Sequence, residues 1–220
     1  MMPEKKPEEN LEEWMTTYSD MVMLLLCFFV MLVAASKVDA VMFEQIRTGI
    51  AREFMDRQVD QPITLLIADL NDDLKTLRLD ERDNLLGDDH LGVVLDLNAN
   101  TFFDSGSAEL KPEATPILTR LASTLKLKQY NIFRFEVQGH TDDNPINTER
   151  FPSNWELSSA RASAVTRFLI NHGIDETRLR AVGMSDIQPR FPNRDAYGAP
   201  IPHNQERNRR VVIRMDPVYK

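Results

Sequence analysis

An apolar run near the beginning of the sequence constrains the fold more than any other feature. Every residue from Met21 to Ala35 is apolar. Residues 15–20 extend this run to the ~20 residues that a membrane-spanning helix needs, and Trp14 is suited to the membrane–water interface. The sequence therefore predicts one transmembrane helix over residues 14–36.

Asp20 lies within this predicted helix, and the next charged residue along the chain is Lys37. A carboxylate at membrane depth is energetically costly, and its usual role is to bind an ion or a proton. Thr16 and Thr17 share its helical face. We therefore predict an ion-binding site formed by Asp20, Thr16 and Thr17, which faces a partner helix or a water-filled cavity. An aspartate tolerated close to the lipid headgroups is the alternative.

A cleaved signal peptide and a helix buried in a protein core are two other interpretations of the apolar run. A signal peptide requires a basic leading segment, whereas residues 1–13 carry two lysines against five glutamates. A buried helix requires a large surrounding domain, and the next fifty residues resemble isolated helices. More lysine and arginine follows the run than precedes it, which by itself opposes a cytoplasmic N-terminus. The orientation therefore depends on the C-terminal domain.

The next segment has apolar residues at four-residue spacing, which predicts an amphipathic helix over residues 38–55. These residues are Val38, Met42, Ile46, Ile50 and Phe54. Such a helix lies on a membrane surface or on a partner, or it is a simple spacer. A second helix is predicted from Pro62 to Leu79, with a narrow apolar stripe that favours pairing with a copy of itself. The acidic residues 80–90 are predicted to form a hinge.

Residues 91–220 alternate strand and helix patterns, which predicts an α/β sandwich with helices packed on a mixed sheet. Strands are predicted at residues 91–97, 132–138, 179–182 and 209–215, and helices at residues 112–126 and 153–172. The second helix begins with a capping box, in which Ser153 precedes Glu156 by three residues. Parallel strands joined through helices are expected to form the centre of the sheet.

Composition argues against several classes of function. The net charge of −8 opposes nucleic-acid binding, which usually requires a basic surface. Cys27 is the one cysteine and the four histidines lack metal-site spacing, so neither a disulfide framework nor a metal site is expected. His140 is predicted to pack or to cap. The sequence combines no nucleophile and base in a catalytic pattern, so an enzyme is not expected.

Four short sequence motifs in the C-terminal half are specific enough to compare with a known family. They are residues 103–110 (FDSGSAEL), 139–143 (GHTDD), 154–162 (NWELSSARA) and 208–211 (NRRV). Together they closely resemble the OmpA-like peptidoglycan-binding domain, and the third is similar to the variant found in the flagellar stator subunit MotB and its relatives. The segment 14–20 (WMTTYSD) and its apolar tail resemble the membrane helix of the same family, so the resemblance covers nearly the whole chain.

The resemblance implies roles for residues of the C-terminal domain. In OmpA-like domains, the Asp of Gly-His-Thr-Asp and the Arg of Leu-Ser-x-x-Arg-Ala hold the diaminopimelate of the peptidoglycan stem peptide. These correspond to Asp142 and Arg161, which we expect at the surface. A carboxylate and a guanidinium suit a ligand with an ammonium and a carboxylate; a structural ion pair is the alternative. The other residues expected at this pocket are Asn154, Thr141, Asp104 and, because strand side chains alternate, one of Arg209 and Arg210.

In MotB-like proteins the membrane Asp carries the permeating ion, and the segment after the membrane is a plug that keeps the channel shut. These correspond to Asp20 and to residues 38–54. The resemblance implies an inner-membrane protein with a cytoplasmic tail (1–13) and one transmembrane helix. The implied plug spans residues 37–55, the linker helix and hinge span residues 56–90, and the periplasmic OmpA-like domain spans residues 91–220.

The function implied is that of a cell-wall-anchored stator subunit in an ion-driven rotary motor that powers the bacterial flagellum. Two copies pair within a ring of a multi-span MotA-like channel subunit, and protons or sodium ions pass through without any other cofactor. A passive peptidoglycan tether is one alternative, and a stator-like unit serving a non-flagellar system is another. This sequence departs from the family in its shorter linker and its acidic N-terminal tail.

Overall fold

A computed structural model describes residues 11–35, 62–77, 79, 85–88 and 92–218. The chain divides into two compact units, the first containing residues 11–35 and the second containing the residues from 62 onward. The predicted plug, with Val38, Met42, Ile46, Ile50 and Phe54, lies outside the described residues, as do residues 1–10 of the predicted tail.

The first unit contains a 25-residue helix, α1 (Leu11–Ala35). At 1.5 Å per residue it is about 38 Å long, which exceeds the ~30 Å hydrocarbon core of a bilayer. Its segment Trp14–Ala34 has a mean hydropathy of 2.1, and none of it is buried within the structure. Such exposure suits contact with lipid and contradicts the interpretation of this segment as a core helix. The Thr17 hydroxyl donates a hydrogen bond to the Trp14 carbonyl at 2.9 Å.

The second unit is an α/β domain whose described residues form a five-stranded sheet. Its elements in chain order are α2 (Pro62–Thr76), β1 (Leu85–Asp88), β2 (Val93–Asn98), α3 (Ala99–Phe102), α4 (Ala114–Leu125), β3 (Phe133–Gly139), α5 (Asn154–Asn171), β4 (Leu179–Gly183), α6 (Pro202–Asn208) and β5 (Arg210–Pro217). The predicted helices and strands of this domain agree with these bounds to within a few residues. Sequence patterns did not predict β1, α3 or α6.

The strand order is β1-β2-β5-β3-β4, so β5 lies at the centre of the sheet. This strand is antiparallel to β2 on one side and to β3 on the other. Within the described part of the chain, only β3 and β4 are parallel. The prediction of a mixed sheet is confirmed, but the prediction that parallel neighbours form its centre is wrong. The crossover through α5 joins a parallel pair at one edge instead.

Helix α2 packs into the core of this domain, and the expected pairing of its apolar stripe with a second copy is therefore wrong. Ile63, Leu66 and Leu70 are fully buried in the same cluster as the sheet residues. Asp73, which is also buried, accepts hydrogen bonds from Arg120 Nε and Thr124 Oγ1, each at 2.5 Å. Residues 62–76 thus belong structurally to the α/β domain rather than to a separate linker.

Strand β1 corrects part of the predicted hinge. Residues 85–88 pair antiparallel with β2, with Leu86 opposite Leu95 and Gly87 opposite Val94. A four-residue strand at a sheet edge has too few residues to show a two-residue alternation. The hinge was therefore predicted from the acidic residues around this segment.

Two glycines allow helix α5 to lie very close to the ends of strands β3 and β4. A Cβ added at Gly139 would lie 2.1 Å from the Ser158 carbonyl oxygen, and one at Gly183 would lie 2.0 Å from the Ser159 hydroxyl. Any larger residue would force the helix away from the sheet. The close approach places the first turns of α5 beside the loop that follows β3.

The predicted capping box fixes where α5 begins. Ser153 Oγ accepts a hydrogen bond from Trp155 N at 3.2 Å and donates one to Glu156 Oε2 at 2.5 Å. The hydrogen bond from Ser153 lowers the pKa of Glu156, and an ionised carboxylate is favourable at a helix N-terminus. The cap therefore holds the N-terminal turn of α5 in a defined position.

Candidate functional site

A cleft of about 360 Å³ lies where the loop after β3, the first turns of α5 and the residue after α6 meet. Its lining residues are Asn100, Ser105, Gly106, Thr141, Asp142, Asn144, Pro145, Ile146, Asn154, Leu157, Arg161 and Arg209. Five of the residues expected at the pocket are therefore brought together here, from separate segments of the chain.

Asp142 forms the acidic centre of the cleft. Only 6% of this residue is exposed, and Arg209 Nη1 donates a hydrogen bond to its Oδ2 at 2.5 Å. The Asn144 backbone N–H donates to Oδ1 at 3.2 Å, and the Asn144 side-chain amide donates to Oδ2 at 3.1 Å. Because a buried carboxylate requires such partners, these contacts hold the Asp142 side chain in a defined orientation.

Asn154 holds the loop that carries Asp142. Its Nδ2 donates hydrogen bonds to the Asp142 carbonyl at 3.3 Å and to the Asn144 carbonyl at 3.0 Å. Thr141 is also buried, and its hydroxyl has no hydrogen-bond partner among the described residues. An unpaired buried hydroxyl is unfavourable, so this group is an exception to the satisfied hydrogen bonding of the loop.

Arg161 supplies a buried guanidinium on the other side of the cleft. Its Nε donates to the Ser107 carbonyl at 2.9 Å, and its Nη2 donates to the Asp104 carbonyl at 3.1 Å. The guanidinium also lies 5.2 Å from the centre of the Phe103 ring, a favourable cation–π contact. Burial, together with the charge of Arg209, lowers the pKa of Arg161 to about 10. The group therefore remains positively charged at neutral pH.

The expectation that Asp142 and Arg161 lie at the surface is wrong, since both are more than nine-tenths buried. The Asp104 side chain was expected at the pocket, but it is not among the residues that line the cleft. It is 77% exposed and pairs with Lys111 Nζ at 3.2 Å, while its backbone carbonyl holds Arg161. Both Asp142 and Arg161 therefore hold the loops around the cleft through their hydrogen bonds.

Of the two neighbouring arginines, Arg209 lies at the cleft and Arg210 lies on the opposite side of β5. Arg210 Nη2 donates to the Gln188 carbonyl at 3.0 Å, and its Nε lies 3.5 Å from Asp96 Oδ1. Asn208, which is fully buried, precedes this pair and accepts hydrogen bonds from the backbone N–H groups of residues 190 and 191. It thereby fixes the backbone from which Arg209 extends.

Sequence reasoning missed several residues that form the cleft. Asn144 follows the Gly-His-Thr-Asp motif by two residues. An aspartate side chain often accepts a hydrogen bond from the backbone two residues on, so this local pattern could have predicted the contact between Asn144 and Asp142. The apolar residues Pro145, Ile146 and Leu157 gave no local signal, because nothing in the sequence shows that they meet around a polar pocket.

His140 lies on the other face of the sheet from the core and lines a second cleft of about 560 Å³. It is 2% exposed, and its Nε2 lies 3.4 Å from Gln138 Oε1. Its position agrees with the expectation that it packs. Burial, reinforced by the positive charge of Arg210, lowers the pKa of His140 from 6.5 to about 3. Among the described residues, no group of three His, Cys, Asp or Glu side chains could hold a metal ion.

The lowered pKa of His140 predicts a specific loss of stability in acid. The unfolded chain binds a proton at this residue below pH 6.5, whereas the folded chain does so only near pH 3. The stabilisation is therefore complete above pH 6.5 and falls by up to ~1.4 kcal/mol per pH unit as the pH decreases toward 3. Between pH 6.5 and 4.5, we expect a loss of about 2–3 kcal/mol from this residue.

Urea unfolding of the full chain in detergent, followed by tryptophan fluorescence at several pH values, measures this effect. His140→Gln removes the titrating group, so its unfolding free energy should fall less between pH 6.5 and 4.5 than that of the wild type. His203, which is exposed on α6, provides the matched control His203→Gln, which should retain the wild-type pH dependence. Identical pH dependence in His140→Gln and the wild type would contradict the prediction.

Both the N-terminal and the C-terminal part of the chain match known protein families. Residues 102–201 match the OmpA family, and residues 2–54 match the family described as membrane MotB of the proton-channel complex MotA/MotB. The second match includes the apolar segment, so a cleaved signal peptide is not the interpretation that the relatives favour.

Relatives in Bacillus subtilis match along nearly their whole length. YtxE is 32% identical over 227 residues, which covers 94% of this chain and 90% of that protein. Motility protein B is 25% identical over 254 residues, covering 97% of this chain and 94% of that protein.

Solved structures resemble the second unit. A MotB-like protein from Desulfovibrio vulgaris is 27% identical with a TM-score of 0.59 and covers 71% of this chain and 97% of that one. The cell wall anchor of the T6SS from Pseudomonas aeruginosa is 34% identical with a TM-score of 0.57, over 70% of this chain and 97% of that one. The chain therefore belongs to the MotB family of stator and peptidoglycan-anchoring proteins, which is not a known enzyme family, and its C-terminal domain is OmpA-like.

Proposed function

We propose that this protein is the cell-wall-anchored stator subunit of an ion-driven rotary motor that turns the bacterial flagellum. Asp20 binds an ion that enters from the periplasmic side and releases it to the cytoplasm. Binding and release change the charge of Asp20 and so change which contacts with a multi-span MotA-like partner are favourable. Each ion that crosses provides about 2.3 kcal/mol per 100 mV.

The observation that carries this proposal is the combination of Asp20 in α1 with the charged cleft of the α/β domain. A passive tether needs the cleft but has no use for a carboxylate in a membrane helix, whose insertion is costly. A channel needs the carboxylate but has no use for a site that grips the cell wall. A stator requires both, because torque is useful only when the ion-driven part is held still.

The cleft suits the diaminopimelate of the peptidoglycan stem peptide. Arg161 and Arg209 carry two positive charges against the one negative charge of Asp142, which leaves net positive charge for a carboxylate of the ligand. The oxygens of Asp142 are the acceptors for its ammonium group. Hydrogen bonds from the two arginines and to Asp142 would be charge-assisted, and such bonds are the strong ones in recognition.

The remaining parts of the proposal follow the family. Two copies of the chain pair, and each contributes its α1 helix to the centre of a ring formed by the MotA-like partner. The N-terminus is cytoplasmic in the inner membrane, and the α/β domain is periplasmic. Residues 38–54 act as the plug that keeps the channel shut before the unit docks at a rotor.

A second candidate is a stator or anchor that serves a non-flagellar system. The observation that favours it is the 34% identity to the T6SS cell wall anchor, which exceeds the 27% identity to the periplasmic domain of Helicobacter pylori MotB. A purely passive peptidoglycan tether is the limiting form of this alternative.

Swimming speed in a strain that lacks its own stators tests the flagellar proposal and identifies the ion. The full chain is expressed with its MotA-like partner, and speed is measured against sodium concentration at fixed pH and against pH at fixed sodium. Restored swimming that rises with sodium identifies a sodium motor, and restored swimming independent of sodium identifies a proton motor. Ion flux and sacculus binding without restored swimming would reject the flagellar role and favour a non-flagellar one.

A further inference from the structure

The second cleft, which His140 lines, lies on the face of the sheet opposite to the core, and we call it the open-face cleft. Strands β2, β3 and β5 and the loop at residues 188–190 contribute most of its lining. It is separate from the cleft around Asp142, because Arg209 and Arg210 extend to opposite sides of β5. Its volume of about 560 Å³ lies within the ~300–1,000 Å³ that small-molecule sites occupy.

One end of the open-face cleft holds two arginines around a single carboxylate. Arg190 Nη1 donates a hydrogen bond to Asp96 Oδ2, and Arg210 Nε lies 3.5 Å from Asp96 Oδ1. The Nη groups of Arg210 donate to the carbonyls of Asn208 and Gln188, which fixes this buried guanidinium in place. The Arg190 side chain is 37% exposed, so a ligand can reach it. This end therefore has an excess of one positive charge.

The other end repeats this charge pattern. Arg214 lies opposite Glu136 in the register of β3 and β5, and Glu136 Oε2 accepts a hydrogen bond from Arg180 Nη1 at 3.2 Å. Arg214 lines the cleft, whereas Glu136 and Arg180 lie beyond its lining. Since Arg214 follows Arg210 by four residues on the same strand, their Cα atoms are about 13 Å apart. Two arginines and one carboxylate again leave an excess of one positive charge.

Uncharged side chains lie between the two ends. Val212 is on the same face of β5 as the two arginines of this strand, and it is 5% exposed although it lies outside the main core cluster. Gln138 is its partner in the register of β3 and β5, and Val94 also lines the cleft. A methylene chain placed here would gain from being removed from water, whereas a charged group would lose its hydration.

From this arrangement we propose that the open-face cleft binds an extended dicarboxylate, with one carboxylate at Arg190 and the other at Arg214. The inference goes beyond the proposed function and does not depend on it. A planar guanidinium matches a carboxylate in geometry, and one excess positive charge at each end matches one carboxylate in charge. A phosphate monoester would bring nearly two negative charges to each end. The chain between the carboxylates covers Val212.

A series of linear diacids tests this inference. Succinate, adipate, suberate and sebacate have the same two carboxylates and differ only in the number of methylene groups between them. Their affinities for the full chain in a non-ionic detergent are measured by isothermal titration calorimetry. We expect suberate or sebacate to bind most tightly, because succinate is too short to reach both ends.

Octanoate has the same chain length as suberate but only one carboxylate. We expect suberate to bind about tenfold more tightly than octanoate, because it makes an additional charge-assisted contact. Arg190→Gln and Arg214→Gln should each bring this ratio to near one, since each removes the charge at one end. Arg134 is exposed on the same face of β3 as Gln138 and does not line the cleft. The matched control Arg134→Gln should therefore keep the wild-type ratio.

Equal affinity of the wild type for suberate and octanoate would overturn the inference. A tenfold advantage of suberate that persists in both Arg190→Gln and Arg214→Gln would also overturn it. The same conclusion would follow if Arg134→Gln lost as much of the advantage as Arg214→Gln, because the diacid would then be attracted to the positive charge of this face in general. Urea unfolding of each variant confirms that it is folded under the conditions of the titration.

Discussion

Replacing Asp20 with asparagine is expected to abolish ion flux through the assembled complex and to stop rotation, with no loss of sacculus binding. The amide has nearly the same size as the carboxyl group, but it carries no charge and cannot release a proton. The substituted side chain therefore cannot alternate between ion-loaded and empty states. Flux is measured in vesicles that contain the full chain and its partner, and sacculus binding is measured by pull-down of the same preparation.

The control for this experiment is Ser19→Asn, which introduces the same amide one residue earlier and about 100° around the helix. Flux through this variant should persist if Asp20 acts through its position on the ion-facing side. Wild-type flux in Asp20→Asn would reject the motor and leave the tether as the function. Loss of both flux and sacculus binding would indicate that the variant fails to assemble.

Replacing Arg161 with alanine is expected to weaken sacculus binding and also to destabilise the domain. Because Arg161 is proposed to contact a charged ligand group, its loss should reduce affinity about 10- to 100-fold. The carbonyls of Asp104 and Ser107 lose their donors at the same time. We expect the unfolding free energy to fall by about 2–4 kcal/mol. Arg161→Lys should recover little of either, because an ammonium cannot reproduce the planar contacts.

Arg167 provides the matched control, since it lies on the same helix and is exposed. Arg167→Ala should leave both sacculus binding and urea unfolding unchanged. Pull-downs are carried out at a temperature at which the unfolding curves show Arg161→Ala to be folded, so that binding is separated from stability. Full sacculus binding by folded Arg161→Ala would show that Arg161 has a structural role alone.

Much of the architecture was predictable because its signals are local. The apolar length of α1, the capping box at Ser153 and the alternation along β3 each lie within one short segment of sequence. The role of helix α2 was not predictable in this way. A narrow apolar stripe specifies that a helix is covered on one side, but it does not specify whether the cover is a second copy or the helix's own domain.

The candidate site shows the same division between local and tertiary information. The motifs identified Asp142, Arg161 and one of Arg209 and Arg210, and the structure places Asp142, Arg161 and Arg209 around one cleft. The burial of Asp142 and Arg161 was not predictable, because arginine and aspartate are usually exposed and their enclosure depends on tertiary packing. The apolar residues that line the cleft, Pro145, Ile146 and Leu157, were missed for a similar reason, since their sequence context is polar.

The central position of β5 has a consequence for how the domain is made. Residues 210–217 lie between two halves of the sheet, β1-β2 and β3-β4, and pair with both. In the proposed periplasmic location, the domain can therefore complete its sheet only after this segment has crossed the membrane. Premature termination before residue 210 would remove the central strand that connects the two halves, rather than a strand at the sheet edge. We expect such a truncated product to be degraded instead of blocking assembly of the proposed channel complex.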